Sequence, residues 1–309
     1  MAILFQSTPA SVARWRPFLT AAWPGRDLRF WPEIGDKPAI SYALAWHPAP
    51  GLLASLPNLR LILSLGAGVD HILRDPLLPL GVPIVRLVDP YMTQAMSEYV
   101  ALQVLRLHRQ DFAYRAQQAM GEWRELTQNN AAERTVGILG FGQLGQDAAR
   151  LLKAIGFDVA GWSRSGRTVP GFVTFGGVAG LDALLRRSEI LVSLLPMTPE
   201  TEGVLNADLF ARLPRGAGLV NAGRGRQLVE VDLLAALDSG QLSAAVLDVF
   251  RDEPLPPGHL FWRHPRIIVT PHVAAETHPP TASAIYAQAI ADFEAGRPVA
   301  NVIDPQRGY

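Results

Sequence analysis

The sequence predicts an α/β protein of two domains, each built on a parallel sheet with helices on its faces. Three observations lead there. The chain has 309 residues, about twice an average domain and enough for two buried cores. Short apolar runs recur along its whole length, separated by helical spacings or turn residues. One stretch, Thr135-Val136-Gly137-Ile138-Leu139-Gly140-Phe141-Gly142-Gln143-Leu144-Gly145, sets strand, glycine turn and helix in the order a dinucleotide-binding βαβ unit requires.

The first hundred residues alternate strand and helix. Ala2–Phe5, Tyr42–Trp46, Leu61–Leu65 and Ile84–Val88 are apolar runs suited to parallel strands buried on both faces. Gly51–Leu56 and its neighbours are expected to supply crossover helices. Residues from about Ser97 to Gln118 read as one long helix, with Val100, Val104 and Leu107, then Asp111 and Arg115, tracking its faces. Met120–Glu133 is polar and irregular apart from Trp123, and reads as an arm or connection.

From Thr135 the alternation sharpens. Asp158–Trp162, Ile190–Leu195, Gly218–Asn221, Ala244–Val249 and Ile267–Thr270 are strand candidates. Leu181–Arg187, Asn206–Leu213 and Val231–Asp238 are helices, the last closed by Gly240. Pro279-Pro280 breaks the chain before a final helix, Ala282–Ala295, which Gly296 ends. The tail 297–309 is too short for a domain and is expected to return to the first sheet. The first domain is then discontinuous, residues 1–98 with 281–309, around a second at 99–280.

Composition excludes several classes. The 28 basic and 28 acidic residues cancel, so nothing favours nucleic acid or a membrane surface. No cysteine is present, which removes disulfides, thiol catalysis and thiolate metal sites together. The start, Met1-Ala-Ile-Leu-Phe-Gln, lacks the basic segment and long apolar core of a signal peptide. No apolar run approaches the ~18 residues of a membrane span. A soluble cytoplasmic protein is expected.

At the central turn, Gly140 permits the tight backbone path, Gly142 lets the backbone approach a pyrophosphate, and Gly145 lets helix pack on strand. Leu144, Ala148, Leu151, Leu152 and Ile155 then recur at helical spacing until Gly156. Glycines also make ordinary turns; the strand before and amphipathic helix after favour the binding reading. Past the next strand stand Ser163-Arg164-Ser165, with Arg167 close by. Two hydroxyls and a guanidinium suit a ribose 2′-phosphate, whereas an acid there would suit a free 2′-hydroxyl. Asp158 is on the wrong end of its strand. NADP(H) is the expected cofactor, NAD(H) the weaker alternative.

Chemistry is expected outside the carboxyl ends of the strands. Asn221-Ala222-Gly223-Arg224-Gly225 follows one strand, Asp248-Val-Phe-Arg-Asp-Glu253-Pro254 the next, and Thr270-Pro271-His272-Val273-Ala274-Ala275 the last. Each residue alone has a bland reading: a surface arginine, a loop acid, a satisfied buried histidine. An Arg, a Glu and a His at three successive strand ends are harder to dismiss.

Taken in order, the glycine turn, N-A-G-R-G, L-D-V-F-x-x-E-P and P-H-V-A-A resemble the D-2-hydroxyacid dehydrogenases. Ser64-Leu-Gly-Ala-Gly-Val-Asp70 is similar to their substrate-carboxylate loop, and the resemblance covers essentially the whole chain. Trp46-His-Pro, Met92–Glu98 and Trp162-Ser-Arg-Ser165 narrow it to the glyoxylate/hydroxypyruvate reductase A branch. The resemblance implies two Rossmann/flavodoxin-like domains with an active-site cleft between them, and NADPH-dependent reduction of small 2-oxoacids to D-2-hydroxyacids. It implies that Arg224 binds the carboxylate and carbonyl oxygen of the substrate, where its fixed fork of donors can hold two oxygens. Trp46 and the backbone N–H groups around Leu65, Gly66 and Ala67 serve the substrate from the other domain. His272 donates a proton, and Glu253 fixes its tautomer and stabilises its charged form. Gly140, Gly142, Gln143, Leu144 and Gly145 hold the pyrophosphate; Leu195, Pro196, Thr201 and Ala222 line the cofactor cleft, and Asp248 lies near the nicotinamide carboxamide. A homodimer is the family habit.

Two departures stand out. The family more often has alanine before the arginine; Gly223 is expected to loosen that loop slightly. Many relatives carry an acid at Ser163, and its absence points further to NADP(H). Alternative readings keep the fold but change the role: a bulkier 2-ketoacid or phosphorylated hydroxyacid as substrate, or a non-catalytic dinucleotide-sensing protein. No extra basic cluster favours a phosphorylated substrate, and a sensor needs no proton donor. His259 and His264 flank a proline-rich loop, and His278 adjoins Pro279-Pro280; their spacing fits no common zinc motif, so no metal is expected.

Overall fold

The computed structural model describes residues 1–305 and Gly308. Two compact units emerge, Met1–Met92 with Thr277–Tyr309, and Thr93–Glu276. The chain crossings therefore lie a few residues before those expected at 98 and 281. Positions 306, 307 and 309 of the expected tail lie outside the described residues.

The first unit holds β1 (Ala2–Gln6), β2 (Asp27–Phe30), β3 (Ile40–Ala45), β4 (Leu61–Ser64) and β5 (Ile84–Val85). They form one parallel sheet in the order β2-β1-β3-β4-β5, the flavodoxin-like arrangement. Strands β1, β3 and β4 are buried at every position, as both-face burial by helices demands. The unexpected strand is β2, a half-exposed edge whose Asp27 and Arg29 hide it from an apolar-run reading. Gly51–Leu56 is a series of turns rather than a helix, closed by Gly51 N–H on Asp75 Oδ2 at 2.8 Å. Helix α1 (Pro9–Ala22) starts at Thr8, whose hydroxyl accepts from Ser11 N–H, and packs on the last helix, α9 (Pro279–Glu294). Pro279 and Pro280 do not interrupt the chain but open α9, where a missing N–H costs nothing. The tail does return to the sheet: Ile303 N–H donates to Ile84 O at 2.9 Å, and Val302 bridges Val85.

Short α2 (Asp70–Leu73) lies in the first unit, and α3 (Pro90–His108) carries the chain into the second. The single helix expected to Gln118 is two. Gln110 adopts φ 59°, a left-handed conformation that stops α3 before α4 (Asp111–Met120). Its amide is tied to Thr127 O at 2.6 Å.

The second unit holds β6 (Thr135–Leu139), β7 (Asp158–Ser163), β8 (Val173–Gly176), β9 (Ile190–Ser193), β10 (Ala217–Asn221), β11 (Leu242–Leu247) and β12 (Ile267–Val269). The parallel order β12-β11-β10-β9-β6-β7-β8 is doubly wound and reverses between β6 and β9. Ile138, Val192, Val220 and Val246 are register partners across four strands and share one core. Their neighbours Leu139, Leu191, Leu219 and Leu247 belong to another, as a two-residue period dictates. Helices α5 (Gln143–Ile155), α6 (Gly177–Arg187), α7 (Ala207–Ala211) and α8 (Glu230–Asp238) connect the strands. Strand β8, another part-exposed edge, is four residues of alternating type and makes no apolar run. Among the described residues no helix is long and apolar enough to cross a membrane.

Candidate active site

The glycine turn sits at the switch point between β6 and β9. Gly140 has φ +91°, and a Cβ there would stand 2.5 Å from Leu194 O in the loop after β9. At Gly145 a Cβ would stand 2.4 Å from Gly140 O, so α5 approaches β6 only because the residue is glycine. Gly142 is the N-cap of α5, has no side chain to cap it, and faces open space. Gln143 and Leu144 begin the helix with no acid in its first turn. An uncapped helix start with its positive end facing open space is a cradle for a diphosphate.

Beyond β7, Gly166 N–H closes a turn on Ser163 O at 3.1 Å, with Arg164 and Ser165 exposed. Asp158, at the other end of the strand, pairs with Arg187. The loop after β9 is tied by Thr201, whose hydroxyl donates to Pro196 O at 2.7 Å and accepts from Thr198 N–H.

Arg224 is held by its neighbours. Buried Asn221 donates to Arg224 O and accepts from Gly223 N–H. Arg224 Nη1 donates to Gly223 O at 2.8 Å. Gln227, 0% exposed, accepts from Arg224 N–H at 3.0 Å and donates to Leu195 O and Pro196 O. The expectation for Gly223 is overturned: a Cβ there would stand 2.6 Å from Gln227 Oε1 and 2.9 Å from Leu195 O. Glycine tightens this loop by close packing. Gln227 went unnoticed in the sequence; its only signal was a Gln three residues after Arg224, the reciprocal position of a capping box.

The proposed proton donor and its carboxylate do meet. Glu253 Oε2 accepts from His272 Nδ1 at 2.8 Å, and Oε1 accepts from Phe250 N–H at 2.9 Å. An ionised carboxylate only accepts, so Nδ1 carries the hydrogen and Nε2 is left for chemistry. Burial works to raise the Glu253 carboxyl. The His272 ring, the Phe250 N–H and the Arg224 charge outweigh it and hold the group below the ordinary carboxylate range. Asp248, 1% exposed, takes Thr270 Oγ1–H and Val273 N–H on Oδ1 and Ala274 N–H on Oδ2. With about four acceptor positions on a carboxylate, Oδ2 keeps room for one further donor.

In the first unit, Leu65 N–H is committed to Ala45 O at 3.2 Å, as the strand ladder requires. Gly66 N–H leans on Ser64 Oγ at 3.3 Å. Leu65 is therefore corrected as a donor to an outside carboxylate. Among the described residues none accepts from Ala67 N–H or Gly68 N–H. The Trp46 ring lies against this loop, 2.8 Å from where a Cβ on Gly66 would be. Thr277 and Tyr286 hold it from behind through Leu65 O and Ser64 O. Of the other histidines, His47 and His71 pack their rings on Trp46, His259 faces Glu230, His264 accepts from Arg266 N–H, and His278 stacks on Tyr91. No group of three or more potential metal ligands occurs among the described residues.

A family model described as D-isomer specific 2-hydroxyacid dehydrogenase, NAD binding domain, matches residues 101–274. A glyoxylate/hydroxypyruvate reductase A from Serratia proteamaculans is 45% identical, with 100% of each chain covered. A D-isomer specific 2-hydroxyacid dehydrogenase from Xanthobacter autotrophicus Py2, solved with NADPH and MES, has a TM-score of 0.94 at 43% identity, covering 100% of this chain and 99% of that one. The NADPH-dependent glyoxylate/hydroxypyruvate reductase from Sinorhizobium meliloti, solved with NADP and sulfate, reaches 0.93 at 45% identity with the same coverage.

The depressed Glu253 pKa carries a signed expectation. The carboxylate is ionised at neutral pH, and its pairing with His272 is lost as pH falls through the depressed value. His272→Ala removes the strongest of the lowering contacts, so the Glu253 pKa should rise toward and beyond its ordinary value. Carboxyl ¹³C NMR titration measures it; an unmoved Glu253 would show that the pair does not form in solution.

Proposed function

Because the chain belongs to the D-isomer specific 2-hydroxyacid dehydrogenases, we propose that it reduces small 2-oxoacids, glyoxylate and hydroxypyruvate among them, to D-2-hydroxyacids with NADPH. The observation that carries this reading is the hydrogen-bonded Glu253–His272 pair, in the same unit as Arg224 and the glycine turn. A dinucleotide sensor needs the turn but not the proton donor.

On this reading residues 99–280 serve the dinucleotide, while 1–98 with 281–309 serve the substrate. Gly140, Gly142 and Gly145, with the N–H groups of Gln143 and Leu144, receive the pyrophosphate. Ser163, Arg164 and Ser165 receive the 2′-phosphate. Leu195, Pro196, Thr201, Ala222 and the free acceptor position of Asp248 border the nicotinamide. Bound there, NADPH supplies a hydride to the substrate carbonyl carbon. Arg224 holds the carboxylate and polarises the carbonyl oxygen. Gly66, Ala67 and Trp46 hold the carboxylate end, with Ala67 N–H the open donor. His272 gives the Nε2 proton to that oxygen, and Glu253 stabilises the imidazolium that must do so.

The protein is also read as a cytoplasmic homodimer. A charged nucleotide reductant does not cross membranes, which fits the cytoplasm. For the dimer, the support is the arm after α4: Trp123 is 97% exposed on irregular backbone three residues after Met120, also largely exposed. Bulky apolar side chains presented this way mark an interface.

Three outcomes are expected. A panel of 2-oxoacids with both cofactors should show NADPH preferred by roughly 10- to 150-fold in kcat/KM, the worth of one charge-assisted contact of about 1.5–3 kcal/mol. Equal or better turnover with NADH would end the 2′-phosphate assignment. Arg224→Ala should raise KM and lower kcat together, because one side chain both binds and polarises. A kcat/KM within about twofold of wild type would remove Arg224 from the reaction. Sedimentation should show a dimer that Trp123→Ser weakens; a monomeric wild type would refute the dimer.

A further inference from the structure

His272 has a backbone conformation that is uncommon for any residue other than glycine. Its φ is 55°, left-handed for a side chain with a Cβ. Such a residue persists only where its surroundings over-determine it. Here the surroundings converge on Asp248. His272 N–H donates to Asp248 O at 2.8 Å, and the next two N–H groups, of Val273 and Ala274, donate to the two carboxylate oxygens at 3.0 and 2.9 Å.

The carboxylate is supported in turn. Thr270 Oγ1–H donates to Asp248 Oδ1 at 2.6 Å, so the Thr270 oxygen is left to accept. Tyr99 OH, reaching from α3, is 2.7 Å from that oxygen. Burial pushes the Tyr99 phenol up, so it stays an O–H donor at any working pH. The protons therefore run one way, from Tyr99 to Thr270 to Asp248.

The structure assigns Thr270 and Tyr99 as positioning residues that hold the proton-donating His272 in place through the Asp248 carboxylate. This rests on the reading of His272 as proton donor. Neither residue touches the substrate. Their work is to keep Asp248 an anion that accepts, because a protonated Asp248 would surrender a lone pair and release an N–H of the His272 loop.

Burial raises the Asp248 carboxyl, and the Thr270 hydroxyl with the Ala274 and Val273 N–H groups opposes that rise. The titratable and charged groups around it are His272, which also favours the anion, and Tyr99, on which Arg106 of the same helix bears. Beyond His272 lie Glu253 and the Arg224 charge that acts on it. Removing the Thr270 hydroxyl moves the Asp248 pKa further up. Loop holding is then lost at a higher pH as the solution is acidified.

The experiment compares full-length wild type, Thr270→Val, Thr270→Ser and Tyr99→Phe. Two readouts are taken: the pH profile of NADPH-dependent glyoxylate reduction, and amide hydrogen exchange at Val273 and Ala274. Thr270→Val keeps the shape but not the hydroxyl. It should lower kcat about tenfold at neutral pH, move the acid limb up by about one pH unit, and speed exchange at both amides. Thr270→Ser keeps the hydroxyl and should restore the limb and the exchange protection. Tyr99→Phe should shift both readouts the same way by less. A Thr270→Val profile and exchange pattern that superpose on wild type would overturn the inference, as would a Thr270→Ser loss equal to that of Thr270→Val. A wild type inactive toward every 2-oxoacid would instead overturn the proposed function, and the exchange readout would still decide the hydroxyl's part in holding the loop.

Discussion

Every strand of the seven-stranded sheet runs in the same direction, so every loop that follows a strand leaves from one edge. That constraint brings Gly140, Ser163, Leu195, Arg224, Glu253 and His272 to one edge of the sheet although 132 positions separate the first from the last. Reversal of strand order between β6 and β9 then opens the crevice at the glycine turn. The backbone contact of Gly140 with Leu194 marks how narrowly the two loops diverge there.

Along that edge the unit places two carboxylates in opposite circumstances. Asp248 is sealed under the His272 loop, and burial dominates, raising its pKa. Glu253 meets the same imidazole from its open side, and pairing dominates, lowering its pKa. One carboxylate holds the two backbone N–H groups that follow the histidine and the other faces its ring. Environments that push two titratable groups apart in this way separate holding from proton handling.

Much of this was legible in the sequence where a residue type has few uses. A glycine forced by φ +91° or by a carbonyl at 2.4 Å can be read from its spacing, since other residues cannot stand there. Arg224, Glu253 and His272 were legible because each follows an apolar strand. The edge strands β2 and β8 were not, since each is four residues of alternating type and makes no continuous apolar run. The break at Gln110 was hidden because the helical pattern continues through it, while its cause is a tertiary contact with Thr127. Gly223 was misread for a related reason: its partner, Gln227, is near in sequence, but the packing against Leu195 comes from a different strand end. Leu65 looked like a free loop donor because the ladder to Ala45 extends past the strand's last residue.

The discontinuity of the first unit bears on how the chain is made. Residues 1–92 leave the ribosome first, but the α9 helix on which α1 packs and the segment that bridges β5 are encoded at the far end. At about 5–20 residues per second, the 184 residues of Thr93–Glu276 interpose roughly 10–40 s before that closing segment begins to appear. During that interval the second unit, contiguous in sequence, has all it needs to fold, while the Trp15 and Tyr42 flank of the first unit still lacks Tyr286 and Phe293. The nascent chain thus carries an incomplete apolar sheet through most of its own synthesis, and that sheet is where a chaperone would find its substrate.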